Sequence, residues 1–153
     1  MSGWSDRLGQ LGITLPETVA PVAAYVPAVR TGNLVYTAGQ LPITAGKLPA
    51  VGKVGADVSP EQAKDLARQC GLNALAAVDS LVGLDAVVRV VKVVGFVASA
   101  PGFGGQPGVI NGASELFVEV FGDAGAHARS AVGVSELPLD APVEVEIIVE
   151  VSG

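Results

Sequence analysis

An arginine and a row of glutamates near the end of the chain are the residues best suited to chemistry on a small acid. Glu144, Glu146 and Glu150 alternate with apolar residues in the final segment, and Arg129 lies in the segment before it. A planar guanidinium binds a carboxylate through two parallel hydrogen bonds, which a lysine does less well. A nearby carboxylate can orient water and carry a proton. Together these residue types predict a site for a small carboxylic acid.

The relative position of Arg129 and the glutamates depends on how the last two predicted strands pair. Residues 143–151 alternate strictly, which places the odd-numbered apolar residues on one face and the glutamates on the other. If residues 128–135 and 143–151 form an antiparallel hairpin, Arg129 and Glu144 share the face away from the helices. Their backbones then lie roughly 13 Å apart, with Ala131 between them. On the pattern alone, an exposed ion pair between Arg129 and a glutamate is the simpler interpretation.

Three further strands are predicted ahead of these two. Two short strands, at residues 25–29 and 34–38, flank a turn that contains glycine and asparagine at residues 30–33. Residues 86–97 then contain a nearly continuous run of valines, which is typical of a strand covered on both faces.

Two helices are predicted between the strands. The first begins at the capping residue Ser59, which proline follows, and ends at Gly83. Asn111 can cap the second helix, which Gly122 ends. The order of two strands, helix, strand, helix and two strands predicts an α+β fold with both helices on one face of the sheet.

Length and composition limit the class of protein. The 153 residues are enough for one domain with its own core. Only 16% of the residues are charged, against about 25% in a typical soluble domain, so we expect a homo-oligomer that buries part of one face. The net charge of −6 argues against non-specific binding to nucleic acid. One cysteine and one histidine are too few ligands for a zinc site.

Residues 1–20 are predicted to be an N-terminal extension ahead of a domain at residues 21–153. A short helix is expected around Ser5 to Leu11, ending at Gly12. The extension carries charged residues and lacks the apolar core of a signal peptide. The apolar segment at 86–103 contains two basic residues as well as glycine and proline, so it is not a membrane span. We therefore expect a cytoplasmic protein.

Three segments of the sequence resemble the reactive intermediate deaminase family, which is also called the YjgF or Rid family. They are GNLVYTAGQLP at residues 32–42, ARSAVGV at residues 128–134 with Leu137 and Pro138, and VEVE at residues 143–146. The similarity extends from Pro21 to Val151. It implies a chorismate-mutase-like α+β fold that assembles as a homotrimer, with its sites in the clefts between subunits.

The resemblance also implies a reaction and a set of site residues. Members of the family that act as deaminases hydrolyse reactive enamines and imines, such as 2-aminoacrylate and 2-iminopropanoate, to a keto acid and ammonia without a cofactor. By position, Arg129 matches the arginine that holds the substrate carboxylate, and Glu144 matches the glutamate associated with water and protons. The other substrate-binding positions that the resemblance implies are Tyr25, Gly39, Asn111 and Ala131.

Some of these residues have a structural alternative. Tyr25 is also typical of sheet packing, and Asn111 is as well suited to cap a helix as to contact a ligand. His127 lies two residues before Arg129, where it is either structural or able to modulate the pocket.

Two departures from the family pattern indicate a subgroup distinct from the best-known deaminases. Many members carry a cysteine two residues after the arginine, whereas this chain has Ala131, so a thiol takes no part. Residues 99–110 are longer and richer in glycine than the same segment of those deaminases. The resemblance therefore does not specify which side chain the substrate carries.

The leading hypothesis is a hydrolase that deaminates 2-imino and enamine acids. A second hypothesis is a non-catalytic trimer that binds a small carboxylate, and a third is an endoribonuclease, an activity assigned to some relatives. The acidic charge and the lack of a histidine pair weigh against RNA cleavage. The expected partners are a small imino or keto acid and further copies of the chain, without nucleic acid, metal or membrane.

Overall fold

The computed structural model describes residues 3–18 and 23–153. Within these residues the helices are α1 (Trp4–Gln10), α2 (Pro60–Val82) and α3 (Gln106–Phe121). The strands are β1 (Ala28–Thr31), β2 (Leu34–Thr37), β3 (Val87–Ala98), β4 (Ala128–Val134) and β5 (Val143–Val151). This order confirms the predicted α+β succession of strands and helices, with the expected short helix ahead of them.

Local sequence signals set the ends of the two long helices. Ser59 caps α2, because its Oγ accepts a hydrogen bond of 3.1 Å from the backbone nitrogen of Gln62. Gly83 and Gly122 follow α2 and α3 with backbone φ angles of 80° and 61°, a region that favours glycine. The predictions for these three residues are confirmed.

The predicted start of α3 at Asn111 is wrong. The helix begins at Gln106 and has Pro107 in its first turn, where a proline loses no hydrogen bond. Asn111 therefore lies inside the helix rather than at its end. Its side chain is not needed as a cap and contacts Arg129 instead.

The strands form one mixed sheet in the order β1-β2-β5-β3-β4. β5 is antiparallel to its neighbours β2 and β3, whereas β4 is parallel to β3. The predicted antiparallel hairpin of the last two strands is therefore wrong. A parallel pair requires a crossover connection, and α3 provides it between β3 and β4.

The register places Arg129 and Glu144 on opposite faces of the sheet. Arg129 aligns with Val93 and, through it, with Ile147, and both apolar residues are buried beneath the helices. Glu144 lies in a row with Val132 on the other face, which we call the outer face. The prediction that Arg129 and the glutamates share the outer face is wrong, because the neighbour of β4 is β3 and not β5.

Both long helices pack on the inner face of the sheet, as predicted. The core combines the odd-numbered residues of β5 with the apolar positions of α2 and α3. The two helices approach closely at Gly112, where a Cβ atom would collide with the backbone carbonyl of Lys64. This arrangement fixes α3 over the β3 and β4 side of the sheet.

The side of the sheet away from the helices leaves apolar side chains exposed. Tyr36 on β2, Val88 and Val91 on β3, and Val132 on β4 are 42%, 47%, 37% and 44% exposed. The prediction that the valine-rich strand is covered on both faces is therefore wrong for the single chain, because the second face has no covering layer among the described residues.

Helix α1 confirms the short helix expected near the N-terminus. Trp4 packs edge-on against Phe121 with ring centroids 5.1 Å apart, and its Nε1 donates a hydrogen bond of 2.7 Å to the carbonyl of Val87. Leu8 is buried in the core. The predicted boundary between residues 20 and 21 lies outside the described residues. Within residues 3–18 and 23–153, no helix combines the length and apolar character needed to cross a membrane.

Candidate functional site

Two side chains of α3 hold Arg129 at the edge of the sheet. Its Nη1 donates hydrogen bonds to Asn111 Oδ1 at 2.8 Å and to Ser114 Oγ at 3.2 Å. Arg129 is half-buried, and no ion pair among the described residues includes it. The exposed ion pair between Arg129 and a glutamate, which was the simpler interpretation of the sequence, is therefore not formed within that part of the chain. The other guanidinium donors remain available to a ligand.

Asn111 presents a further donor beside this guanidinium. Because an arginine only donates, the amide oxygen of Asn111 must face Arg129, and this fixes the amide nitrogen on the other side. A guanidinium with an amide NH₂ group beside it suits an anion with two or more acceptor oxygens, such as a carboxylate.

A cavity of about 860 Å³ lies at Glu144. Tyr25 and Gly39 also line it, together with the segment that follows β2 and residues 16–18. Much of the wall is apolar, through Pro16, Pro27, Leu41, Ile43, Pro138 and Leu139. An apolar cavity with a few polar groups is typical of a small-molecule site.

The carboxyl group of Glu144 is half-buried at this cavity. Burial raises its pKa above the ordinary value, and the neighbouring charge of Glu146 raises it further. Such a group holds its proton to a higher pH than an exposed glutamate and is a stronger base once it is ionised. Gly39 makes room for it, since a Cβ atom at residue 39 would collide with the Glu144 carboxylate.

Within one chain the predicted site residues form two separate groups. The arginine group, at the edge of β4, consists of Arg129, Asn111 and Ala131. The glutamate group, at the cavity, consists of Tyr25, Gly39 and Glu144. β3 separates the strands that carry Arg129 and Glu144, so their backbones are about 10 Å apart across the sheet in addition to their offset along it. A single chain does not bring the two groups together.

Sequence reasoning missed the contact of Ser114 with Arg129. Ser114 follows Asn111 by three residues, and side chains three residues apart share one face of a helix. That spacing was the available signal. A helix starting at Asn111 would instead turn the asparagine side chain towards the backbone of the first turn.

The described residues do not assemble a metal site. Among residues 3–18 and 23–153, no group of three or more His, Cys, Asp or Glu side chains is placed to hold a metal ion. Cys70 is buried in the core, as predicted, where burial raises the pKa of its thiol and the charge of Glu144 adds to the rise.

The fold and the two groups define a small α+β protein with one mixed sheet, two long helices on its inner face and polar side chains suited to a small acid. Residues 16–151 match the model of the family described as Endoribonuclease L-PSP. The chain belongs to this family, which includes the YjgF, RutC and Rid proteins.

Similar proteins cover nearly the whole chain. The protein TCP17 of Trypanosoma cruzi is 42% identical over 148 residues, which are 95% of this chain and 92% of that protein. The 2-iminobutanoate/2-iminopropanoate deaminase of Escherichia coli (strain K12) is 34% identical over 136 residues, 89% of this chain and 94% of the enzyme. The crystal structure of Atu1372, a protein of unknown function from Agrobacterium tumefaciens, matches with a TM-score of 0.89 and 46% identity, covering 97% of this chain and 92% of that one. The family predicted from the sequence is confirmed.

Proposed function

We propose that the protein is a hydrolase that deaminates 2-imino acids and their enamine tautomers, of the 2-iminopropanoate and 2-aminoacrylate type, to a 2-keto acid and ammonia. The environment of Arg129 is the observation that carries this proposal. A neutral amide and a hydroxyl hold its guanidinium, and no carboxylate of the described chain neutralises it. A half-buried cation in such surroundings favours an anionic ligand.

The arginine group binds the substrate carboxylate. Two N–H donors of Arg129 fit the two carboxylate oxygens, and the amide nitrogen of Asn111 adds another donor. Ala131 keeps the strand beside Arg129 free of a large side chain. With the carboxylate held here, the C=N bond of the substrate points away from the guanidinium and towards a general base.

Glu144 supplies the proton transfers of the hydrolysis. As a carboxylate it takes a proton from water while the water oxygen bonds to the carbon of the protonated imine and the C=N π pair moves to nitrogen. Glu144 then returns that proton to the nitrogen of the amino alcohol. The C–N bond breaks, C=O forms, and the hydroxyl proton leaves with the ammonia as ammonium. A raised pKa suits a group that gains and loses a proton in each cycle.

The two groups meet between the subunits of a homotrimer. The exposed apolar side chains on the outer face, among them Tyr36 and Val132, form a surface that a second copy can cover. Glu144 belongs to the same face, so a copy that packs there lies beside the glutamate group. Its own arginine group then completes the site.

One relative supports the substrate class. The name of the Escherichia coli protein states deamination of 2-iminobutanoate and 2-iminopropanoate. The family description names an endoribonuclease, but this chain has a net charge of −6, and both ring nitrogens of its single histidine are engaged by Ser114 and Gly125. These features do not suit acid–base cleavage of RNA.

The rate of keto-acid formation from 2-iminopropanoate generated in situ tests the proposal. We expect the wild type to accelerate this reaction and Arg129→Ala to lose roughly a hundredfold or more in kcat/KM, because a charged partner of the carboxylate is removed. Arg30→Ala, at an exposed arginine of β1, is the matched control and should act like the wild type.

A wild type that accelerates the hydrolysis of none of several 2-imino acids contradicts the deaminase. If that protein still binds a 2-keto acid and Arg129→Ala does not, the non-catalytic trimer that binds a small carboxylate replaces it.

A further inference from the structure

A chain of hydrogen bonds leads from Arg129 to the only histidine of the sequence. Ser114 Oγ accepts from Arg129 and lies 2.8 Å from His127 Nε2, and His127 Nδ1 lies 2.6 Å from the carbonyl oxygen of Gly125. The imidazole packs edge-on against Phe117, with ring centroids 6.0 Å apart. Phe117 is fully buried, so the far end of this chain of contacts is anchored in the core.

The chemistry of each group fixes the direction of these hydrogen bonds. A carbonyl oxygen only accepts, so a neutral His127 carries its proton on Nδ1 and presents the lone pair of Nε2 to Ser114. Ser114 therefore donates its hydroxyl proton to His127, and a lone pair of Oγ faces Arg129. The hydroxyl cannot rotate without losing a partner, which keeps the acceptor for Arg129 in place.

We propose that Ser114 and His127 are positioning residues, which orient the guanidinium of Arg129 for the substrate carboxylate; this inference rests on the proposed function. Asn111 and Ser114 both accept from Nη1 and thereby set the rotation of the guanidinium plane. A guanidinium that is oriented before the ligand arrives loses less conformational freedom on binding. His127 acts through Ser114, because it holds the hydroxyl proton away from Arg129.

The contact with Arg129 argues against Ser114 as a nucleophile activated by His127. A serine nucleophile must turn its oxygen towards the substrate. An activated serine would also donate to His127, but the lone pair of Ser114 Oγ accepts from Arg129 and is therefore turned towards the cation. The pair is therefore suited to orient a cation rather than to form a covalent intermediate.

Ser114→Ala tests the first link, with Ser114→Thr as the conservative variant. Loss of the hydroxyl removes one of the two hydrogen bonds at Nη1, so we expect KM for 2-iminopropanoate to rise about tenfold. The value of kcat should change little, since Glu144 carries the proton transfers. Ser114→Thr keeps a hydroxyl and should restore KM to within about twofold of the wild type. Ser80→Ala, at an exposed serine of α2, is the matched control.

His127→Asn and His127→Gln test the second link. A glutamine amide reaches the position of Nε2 and can still accept from Ser114, whereas the shorter asparagine reaches only the position of Nδ1 near the Gly125 carbonyl. We expect His127→Asn to raise KM as Ser114→Ala does and His127→Gln to stay close to the wild type. The double variant Ser114→Ala with His127→Asn should be no worse than Ser114→Ala, because both act on one contact.

Calorimetric binding of pyruvate, the keto-acid product, separates this proposal from the proposed function. If no form of the protein turns over imines but Ser114→Ala weakens pyruvate binding and Ser80→Ala does not, the deaminase is wrong and the positioning role stands. If folded Ser114→Ala keeps the wild-type KM and pyruvate affinity, or loses only thermal stability, the positioning role is wrong. A wild type that neither turns over imines nor binds pyruvate contradicts both proposals.

Discussion

A carboxyl group that takes and returns a proton works best with a pKa near the operating pH. The position of Glu144 moves its pKa in that direction, because burial and the charge of Glu146 both raise it. The same burial destabilises the fold once the group is ionised, since the charge is then held partly away from water. Residue 144 therefore links the proposed proton transfers to the pH dependence of stability.

The free energy of unfolding is expected to reflect this raised pKa. A glutamate of the unfolded chain titrates near 4.5, and Glu144 releases its proton at a higher pH in the folded protein. Between these two pH values the folded protein binds more protons, so its stability falls as the pH rises. Glu144→Gln removes this loss, so the variant should gain stability over the wild type between acidic and neutral pH.

Urea unfolding of both proteins over a series of pH values measures this effect. Glu150→Gln removes a carboxylate from the same strand and the same face, and it controls for the change in net charge. If the free energies of unfolding of Glu144→Gln and the wild type differ by the same amount at pH 4 and at pH 7, the carboxyl of Glu144 does not cause the pH dependence of stability.

Helix α3 has both a packing role and a role at the candidate site. It packs on α2 and covers β3, and it carries the side chains that hold Arg129. Its close approach to α2 depends on Gly112, whose missing side chain leaves room for the backbone carbonyl of Lys64. A backbone carbonyl inside a helix cannot move aside as the end of a flexible side chain can. The small residue therefore sets the distance between the helices.

Gly112→Ala is expected to destabilise the protein by roughly 1–3 kcal/mol, because the added methyl group overpacks the helix contact. Gly108→Ala is the control, and we expect it to increase stability rather than to decrease it. Gly108 lies in the same helix, is exposed, and has open space where a Cβ atom would be, so alanine should stabilise the helix by about 0.5–1 kcal/mol. Thermal and urea unfolding measure both, and a Gly112→Ala variant as stable as the wild type would show that the helices separate at little cost.

Local signals explain why the helices and strands could be predicted from the sequence. A cap such as Ser59, a glycine end such as Gly83 and the alternation of β5 act within a few residues of one another. The choice of partner strand is not local, because it depends on contacts between distant segments. The sequence therefore predicted the residue types of the arginine group, but not that Arg129 lies on the inner face or that Glu144 is kept apart from it.

At the scale of the whole molecule, an exposed apolar face and a divided candidate site both agree with the proposed assembly of several copies. The outer face exposes valines and a tyrosine to water in the single chain. The arginine and glutamate groups lie apart within that chain. In the proposed assembly, a second copy packed on the outer face would cover these apolar side chains and place its arginine group beside the glutamate group. For the proposed homotrimer, which the family resemblance implies, we expect a solution mass about three times the chain mass of 15.3 kDa.

Activity of mixed assemblies tests whether the site forms between subunits. Arg129→Ala and Glu144→Gln should each be nearly inactive alone, because every site lacks one group. When the two variants are co-expressed with different tags and the mixed trimers are isolated, some clefts receive Arg129 from one subunit and Glu144 from the next. Each mixed trimer contains one cleft of three with both groups, so about a third of the sites are restored. A trimer of Arg129→Ala with the Arg129→Ala, Glu144→Gln double variant contains no Arg129 and should stay inactive. If the first mixture is no more active than the separate variants, the site does not combine Arg129 of one subunit with Glu144 of the next.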